Sequence, residues 1–245
     1  MTRPIRIISH RCRGYGEREN SLAAFTKALL SDVDGIEIDC RITKDRKLVV
    51  HHDASYRDAL GRKHIIKDEP LHAALDNGRM SLDTALVLFA KHGRGKFLDV
   101  DIKAHGEEAQ LVRLVRAHGL ERQVVIVSWI GKSLEDVHAL APELRLSLSF
   151  APKVWTSHRT GGTRGPAIRL PFLIRKRIVP LATVNLCPLT KKTSPSASII
   201  RRLQKRGLEI VVVNDDTVKE NERLVKLGVY GTMTNDAPGL LINFR

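Results

Sequence analysis

Short apolar runs alternate along this chain with longer amphipathic stretches. "IRIIS" (5–9) has the pattern of a buried strand, and "NSLAAFTKALLS" (20–31) that of a helix with one apolar face. "DGIEIDCRI" (34–42) alternates with period two, and "KDRKLVVHHD" (44–53) reads as its return strand after a "KDRK" turn. Residues 54–80 are polar and irregular, and "SLDTALVLFAKHG" (81–93) has helical spacing closed by Gly93. Strand and helix then follow in turn: "KFLDVDI" (96–102), "EEAQLVRLVRAHG" (107–119), "QVVIVSW" (123–129), "SLEDVHALA" (133–141) and "LRLSLSF" (144–150). A Gly-rich loop (157–165) and a helix around 167–178 precede "LATVNLC" (181–187). "SASIIRRLQKRG" (196–207), "LEIVVVN" (208–214), "TVKENERLVKLG" (217–228) and "VYGTMT" (229–234) complete the series.

Eight core strands are thus predicted, starting near 5, 34, 96, 123, 144, 181, 208 and 229. Repeated strand-helix units imply parallel pairing with right-handed crossovers. Eight of them in about 250 residues fit an α/β (β/α)8 TIM barrel. An open doubly wound sheet is the alternative. No Gly/Pro/Ser linker divides the chain, so residues 1–245 read as one domain with a small insertion after the second strand, about 53–80.

Composition narrows the class. With 42% hydrophobic and 28% charged residues the chain reads as globular, and its 4% aromatic content leaves the core to Leu, Ile, Val and Ala. No apolar run approaches the ~18 residues of a membrane span. "MTRPIRIISHRC" lacks the apolar core of a secretory signal, so a cytoplasmic location is expected. Cys12, Cys40 and Cys187 form no C-x-x-C pair and are read as reduced thiols. The net charge of +14 would attract phosphates of any kind, including an anionic membrane surface in weak association. The basic runs at 174–177, 191–192 and 201–206 are, more plainly, solvated faces. Sparse aromatics and the absence of a nucleic-acid motif argue against a specific nucleic-acid partner.

In a barrel, reactive groups gather where strands end. The first strand ends in His10-Arg11; the second carries Glu37 and Asp39, and the third Asp99, Asp101 and Lys103, each set with period two and so on one face. His51 and His52 close the return strand, and only one of two adjacent residues can face the centre. Glu37, Asp39 and Asp101 at one mouth need a neutralising cation: a hard divalent ion suits an all-oxygen set. A buried ionic network with Arg41, Lys103 and Arg11 is the other account, and spacing leaves both open. His10 and His52 could supply an acid and a base at neutral pH, and Arg11 and Lys103 could bind an anionic oxygen. Two histidines, two cations and a metal together describe cleavage of a phosphate ester.

"HRCRGYGERENSLAAF" (10–25), "DVDGIEIDCRITKDRKLVVHHD" (32–53), "VDIK" (100–103), "VVVND" (211–215) and "GVYGTMTND" (228–236) resemble, in order, the motif blocks of the glycerophosphodiester phosphodiesterase family. The resemblance implies a barrel enzyme that hydrolyses glycerophosphodiesters to glycerol 3-phosphate and an alcohol, with a small-molecule phosphodiester as its partner. It implies Glu37, Asp39 and Asp101 as ligands of one divalent cation, Mg²⁺ or Ca²⁺. His10 and His52 become the acid/base pair, Arg11 and Lys103 the phosphate ligands, and Glu19 a supporting residue. A lysophospholipid or sugar phosphodiester, or a non-catalytic basic barrel holding an anionic ligand, are the alternatives. Four departures stand out: Cys12 for a glycine, Arg18 for a proline, Asp101 for a glutamate, and Val211-Val212 for Trp-Thr. Asp101 is one methylene shorter than glutamate, so its carboxylate reaches about 1.5 Å less far.

Overall fold

A computed structural model describes residues 5–150, 178–184, 195–213 and 216–244. β1 (Arg6–Ser9) and β2 (Gly35–Ile42) are joined by α1 (Leu22–Leu30). An excursion follows, with β3 (Leu48–Val50), β4 (Ser55–Arg57), β5 (Lys63–Ile65), α2 (Leu71–Asp76) and β6 (Met80–Ser81), and α3 (Leu82–His92) leads out of it. Next come β7 (Phe97–Ile102), α4 (Glu108–Ala117), β8 (Val124–Ser128), α5 (Gly131–Leu140) and β9 (Arg145–Phe150). The chain continues with β10 (Leu181–Val184), α6 (Ala197–Gln204), β11 (Glu209–Val213), α7 (Val218–Lys226), β12 (Gly231–Thr234) and α8 (Ala237–Phe244).

Eight of these strands form a parallel ring in the order β1-β12-β11-β10-β9-β8-β7-β2, closed by pairing of β1 with β2. That closing seam is short, matching only Ile8 with Gly35 and Ser9 with Ile36. The ring is the expected (β/α)8 barrel, and its strands begin within two residues of the predicted starts.

Side-chain alternation divides the apolar residues into two cores. Ile36, Ile38, Leu98, Val100, Ile126 and Leu146 face outward and meet Phe25, Leu86, Phe89, Leu111 and Val137 of the helices. Inside the ring, Ile8, Leu181, Val211, Val213 and Met233 form a separate plug beside Phe97 and Tyr230. Gly35 is required where the Phe97 ring crosses it, since a Cβ there would lie 2.5 Å from that ring. Below the plug, Arg145 donates to Glu209 at 2.6 Å and to the Tyr230 hydroxyl at 3.2 Å. Ser21, Ser81 and Thr217 cap α1, α3 and α7 by accepting from backbone amides of their first turns.

The excursion is more ordered than its sequence suggests. β3 returns antiparallel on β2 as expected, with Cys40 opposite Val50. Residues 54–80, expected to be irregular, instead contain the β4–β5 hairpin, α2 and β6. Their own small core gathers Val49, Tyr56, Ile66 and Ala74. α8 lies beyond the last predicted element, and it forms although Pro238 and Gly239 near its start are poor helix formers. The helix expected around 167–178 and the loop at 157–165 fall, but for Ile178, outside the described residues, as do the basic runs at 174–177 and 191–192. Among the described residues no helix is long and apolar enough to cross a membrane.

Candidate functional site

Period-two spacing on two neighbouring strands builds the site. β2 and β7 pair so that Glu37 lies opposite Asp99 and Asp39 opposite Asp101, with all four carboxyl groups on the inner face. Glu37, Asp39 and Asp101 are buried, and one oxygen from each lies within 4.8 Å of the others. The shorter Asp101 side chain therefore still reaches the cluster.

Two cations stand among these acids. Lys103 Nζ is 2.7 Å from Asp39 Oδ1 and 2.6 Å from Asp101 Oδ2. Arg11 Nε is 3.3 Å from Asp39 Oδ2, and the Arg11 backbone amide donates to Glu37 Oε2 at 2.9 Å. Asn20 Nδ2 donates to Asp39 Oδ2 at 2.8 Å. Burial pushes Asp39 up, but Lys103 and Arg11 outweigh it and hold its carboxyl below the usual range. Burial raises Glu37 well above that range, with the Asp39 charge adding to the effect. Asp101 is pushed up to about 6, again chiefly by burial, with Lys103 working the other way.

The ionic network forms, then, but it does not satisfy itself. With all three carboxylates ionised, two cations leave one negative charge in excess, and burial together with the Asp39 charge opposes that state by raising Glu37. Asp101 Oδ1 is buried without a hydrogen-bond partner among the described residues, and Asp39 Oδ1 meets only the Lys103 ammonium, at 2.7 Å. A buried oxygen left in this state is costly, and a divalent cation would relieve both the charge and the missing contact. The residues present fit such an ion.

The histidines flank this cluster. His10 follows β1 in a single tight turn, its Nδ1 2.8 Å from Asn235 Oδ1 and its Nε2 3.9 Å from Glu37 Oε2. Burial, reinforced by the neighbouring Arg11 charge, pushes the ring pKa down to about 4, so His10 is neutral near pH 7. His52 Nδ1 lies 2.7 Å from Asp53 Oδ1, and the His52 carbonyl accepts from Arg41 Nε at 2.8 Å. His52 lies close enough to Asp39 for a charge on its ring to lower that carboxyl. His51 turns to the excursion instead, with Nε2 3.3 Å from the Ser55 carbonyl and its ring edge-on to Tyr56. Glu19 joins through cations: Arg13 Nε donates to Glu19 Oε2, and Arg11 Nη1 lies 3.6 Å from Glu19 Oε1.

The structure thus brings His10, Arg11, Glu19, Glu37, Asp39, Asp101 and Lys103 into one connected cluster, with His52 at its edge. Sequence reasoning missed two participants. Asn20 and Asn235 stand inside the quoted motif blocks, but nothing local marks an asparagine as a partner for a distant strand. Asp99 shares the parity of Asp101 yet sits one layer deeper, where burial pushes its pKa up to about 8.

Comparison with known proteins finds relatives of one kind. The profile of the glycerophosphoryl diester phosphodiesterase family matches residues 10–82, the span that carries His10, Arg11, Glu19, Glu37, Asp39 and His52. A glycerophosphodiester phosphodiesterase of Caldanaerobacter subterraneus subsp. tengcongensis is 27% identical over 253 residues, covering 97% of this chain and 96% of that protein. A Homo sapiens lysophospholipase D is 26% identical over 263 residues, covering 94% of this chain and 82% of that protein. An Oleispira antarctica phosphodiesterase solved in complex with the product sn-glycerol-3-phosphate superposes with a TM-score of 0.76 at 17% identity, over 97% of this chain and 95% of that one. At that identity the likeness speaks for the fold.

Proposed function

We propose that the chain is a member of the glycerophosphoryl diester phosphodiesterase family and, on that premise, a metal-dependent phosphodiesterase. It hydrolyses glycerophosphodiesters to sn-glycerol 3-phosphate and an alcohol. The observation that carries this reading is the convergence of Glu37, Asp39 and Asp101 on one point, with Arg11 and Lys103 beside them.

In this reading Glu37, Asp39 and Asp101 hold one divalent cation, Mg²⁺ or Ca²⁺, as an oxygen-only set favours. When bound, the cation supplies Lewis-acid polarisation of the phosphoryl oxygens. Arg11 grips the phosphate as a planar fork and Lys103 as a point charge. Glu19, paired with Arg11 and Arg13, steadies the first of these. His10, neutral near pH 7, takes the proton of the attacking hydroxyl, whether of water or of the glycerol itself. His52, backed by Asp53, returns a proton to the departing alcohol oxygen. With water as the nucleophile this single exchange adds one water across the P–O bond; with the glycerol hydroxyl it leaves a cyclic phosphate, which water opens in a second step as the two histidines exchange roles.

A second substrate is favoured by the lysophospholipase D relative, which aligns with 94% of this chain. Its reaction is the same chemistry with an acyl chain on the glycerol. The test measures glycerol 3-phosphate released from glycerophosphocholine, with and without Mg²⁺ or Ca²⁺, by the wild type and His10→Ala. Cation-dependent turnover is expected, reduced about 10²- to 10⁴-fold in the variant. Lysophosphatidylcholine in a parallel assay separates the two substrates. Failure to cleave either compound with either cation overturns the reading.

A further inference from the structure

The direction in which His10 presents its lone pair is decided behind the ring, at the far end of the chain. β1 and β12 pair with Ser9 opposite Thr234, so His10 and Asn235 emerge side by side. His10 Nδ1 meets Asn235 Oδ1 at 2.8 Å. Two further contacts fix which end of the amide is the oxygen. Arg13 Nη1 donates to Asn235 Oδ1 at 3.0 Å, while Asn235 Nδ2 donates to Asp216 Oδ2 at 3.3 Å. Turning the amide over would set its NH₂ against a guanidinium and its oxygen against a carboxylate.

The surroundings hold that arrangement in place. Asp216 Oδ1 accepts from the Asn235 backbone amide at 2.9 Å and from the Thr234 hydroxyl. Gly14, at φ +90°, lets the segment carrying Arg13 lie against this turn. A Cβ there would sit 3.0 Å from Asp236 Cα and 3.1 Å from the Asn235 carbonyl oxygen.

An acceptor at Nδ1 leaves a neutral ring one arrangement, with hydrogen on Nδ1 and the lone pair on Nε2. Nε2 is the nitrogen that faces Glu37 Oε2. We propose that Asn235 is a positioning residue, which holds His10 as the Nδ1–H tautomer and so aims the bare Nε2 at the carboxylate cluster. The consequence for turnover rests on His10 being the proton acceptor of the proposed reaction; the tautomer itself does not.

Nitrogen-15 shifts of the His10 ring, recorded at pH 7.5 on the protein free of cation and substrate, read the tautomer directly. The wild type is expected as Nδ1–H, and Asn235→Ala is expected to move toward Nε2–H. Turnover of glycerophosphocholine by Asn235→Ala should lose about 10- to 100-fold in kcat with KM changed by less than about threefold. Asn235→Asp retains an acceptor beside Arg13 but sets its other oxygen against Asp216, so combined with Asp216→Asn it should keep the Nδ1–H ring and recover most of the loss. An Nε2–H ring in the wild type overturns the proposal, as does an Asn235→Ala ring that remains Nδ1–H. If the wild type cleaves no phosphodiester, the proposed function fails while the ring spectrum still decides the role of Asn235.

Discussion

Cys12 stands where the resemblance leads one to expect glycine, and its backbone explains that expectation. Arg11 at φ +53° and Cys12 at φ +56° are consecutive residues in the left-handed region, which costs a non-glycine residue roughly 1–2 kcal/mol. The turn they make presents the Arg11 amide to Glu37 and receives the Asn20 amide on the Arg11 carbonyl at 2.9 Å. The Cys12 side chain is fully buried in the outer apolar core, and this burial offsets the strained backbone. Cys12→Gly is therefore expected to change stability by less than about 1 kcal/mol, strain relieved against packing lost. Cys12→Val, β-branched at the same φ, should lose about 2–3 kcal/mol. Urea denaturation measures both, and a valine variant as stable as the wild type refutes the account. The carboxylates and Lys103 were legible because strand parity is a local property. Asn235 was not, since its contact with His10 spans 225 residues and depends on the ring closing.

At the scale of elements, the barrel strands were legible almost to the residue because burial on both faces makes each a dense apolar run. The excursion hid its order for the opposite reason. β4 and β5 are three residues each, and Tyr56 is the one of the six that is buried, packing with Val49, Ile66 and Ala74. That ring stacks on His64 at 4.9 Å and lies under Arg79 at 4.3 Å, while its hydroxyl donates toward Glu69 at 3.0 Å. Arg18, the residue in place of the family's proline, donates to the Gly78 carbonyl and ties this unit to the loop after His10. Tyr56→Ala should remove about 3–4 kcal/mol of support from the excursion. The expected result is faster limited proteolysis within residues 54–79, with the barrel resisting as before. Unchanged cleavage would show that Tyr56 is dispensable to the unit.

Across the whole molecule the net charge is +14, and two cations, Arg11 and Lys103, stand in the site itself. Long-range attraction of an anionic phosphodiester should therefore raise the encounter rate rather than the chemical step. Raising salt from about 20 to 200 mM, which shortens the screening length from roughly 20 to 7 Å, is expected to lower kcat/KM several-fold and leave kcat unchanged. A salt-independent kcat/KM would mean that the basic surface serves another purpose. The ring itself carries a last consequence, and it concerns synthesis. The three acids lie on β2 and β7, adjacent strands both complete by Ile102, whereas His10 gains its asparagine only after β12 has docked beside β1. A ribosome would thus expose a nascent chain able to gather its carboxylates long before it could orient its base. Chemical competence would come with the final strand, and the two-rung seam between β1 and β2 would be the joint on which that late assembly depends.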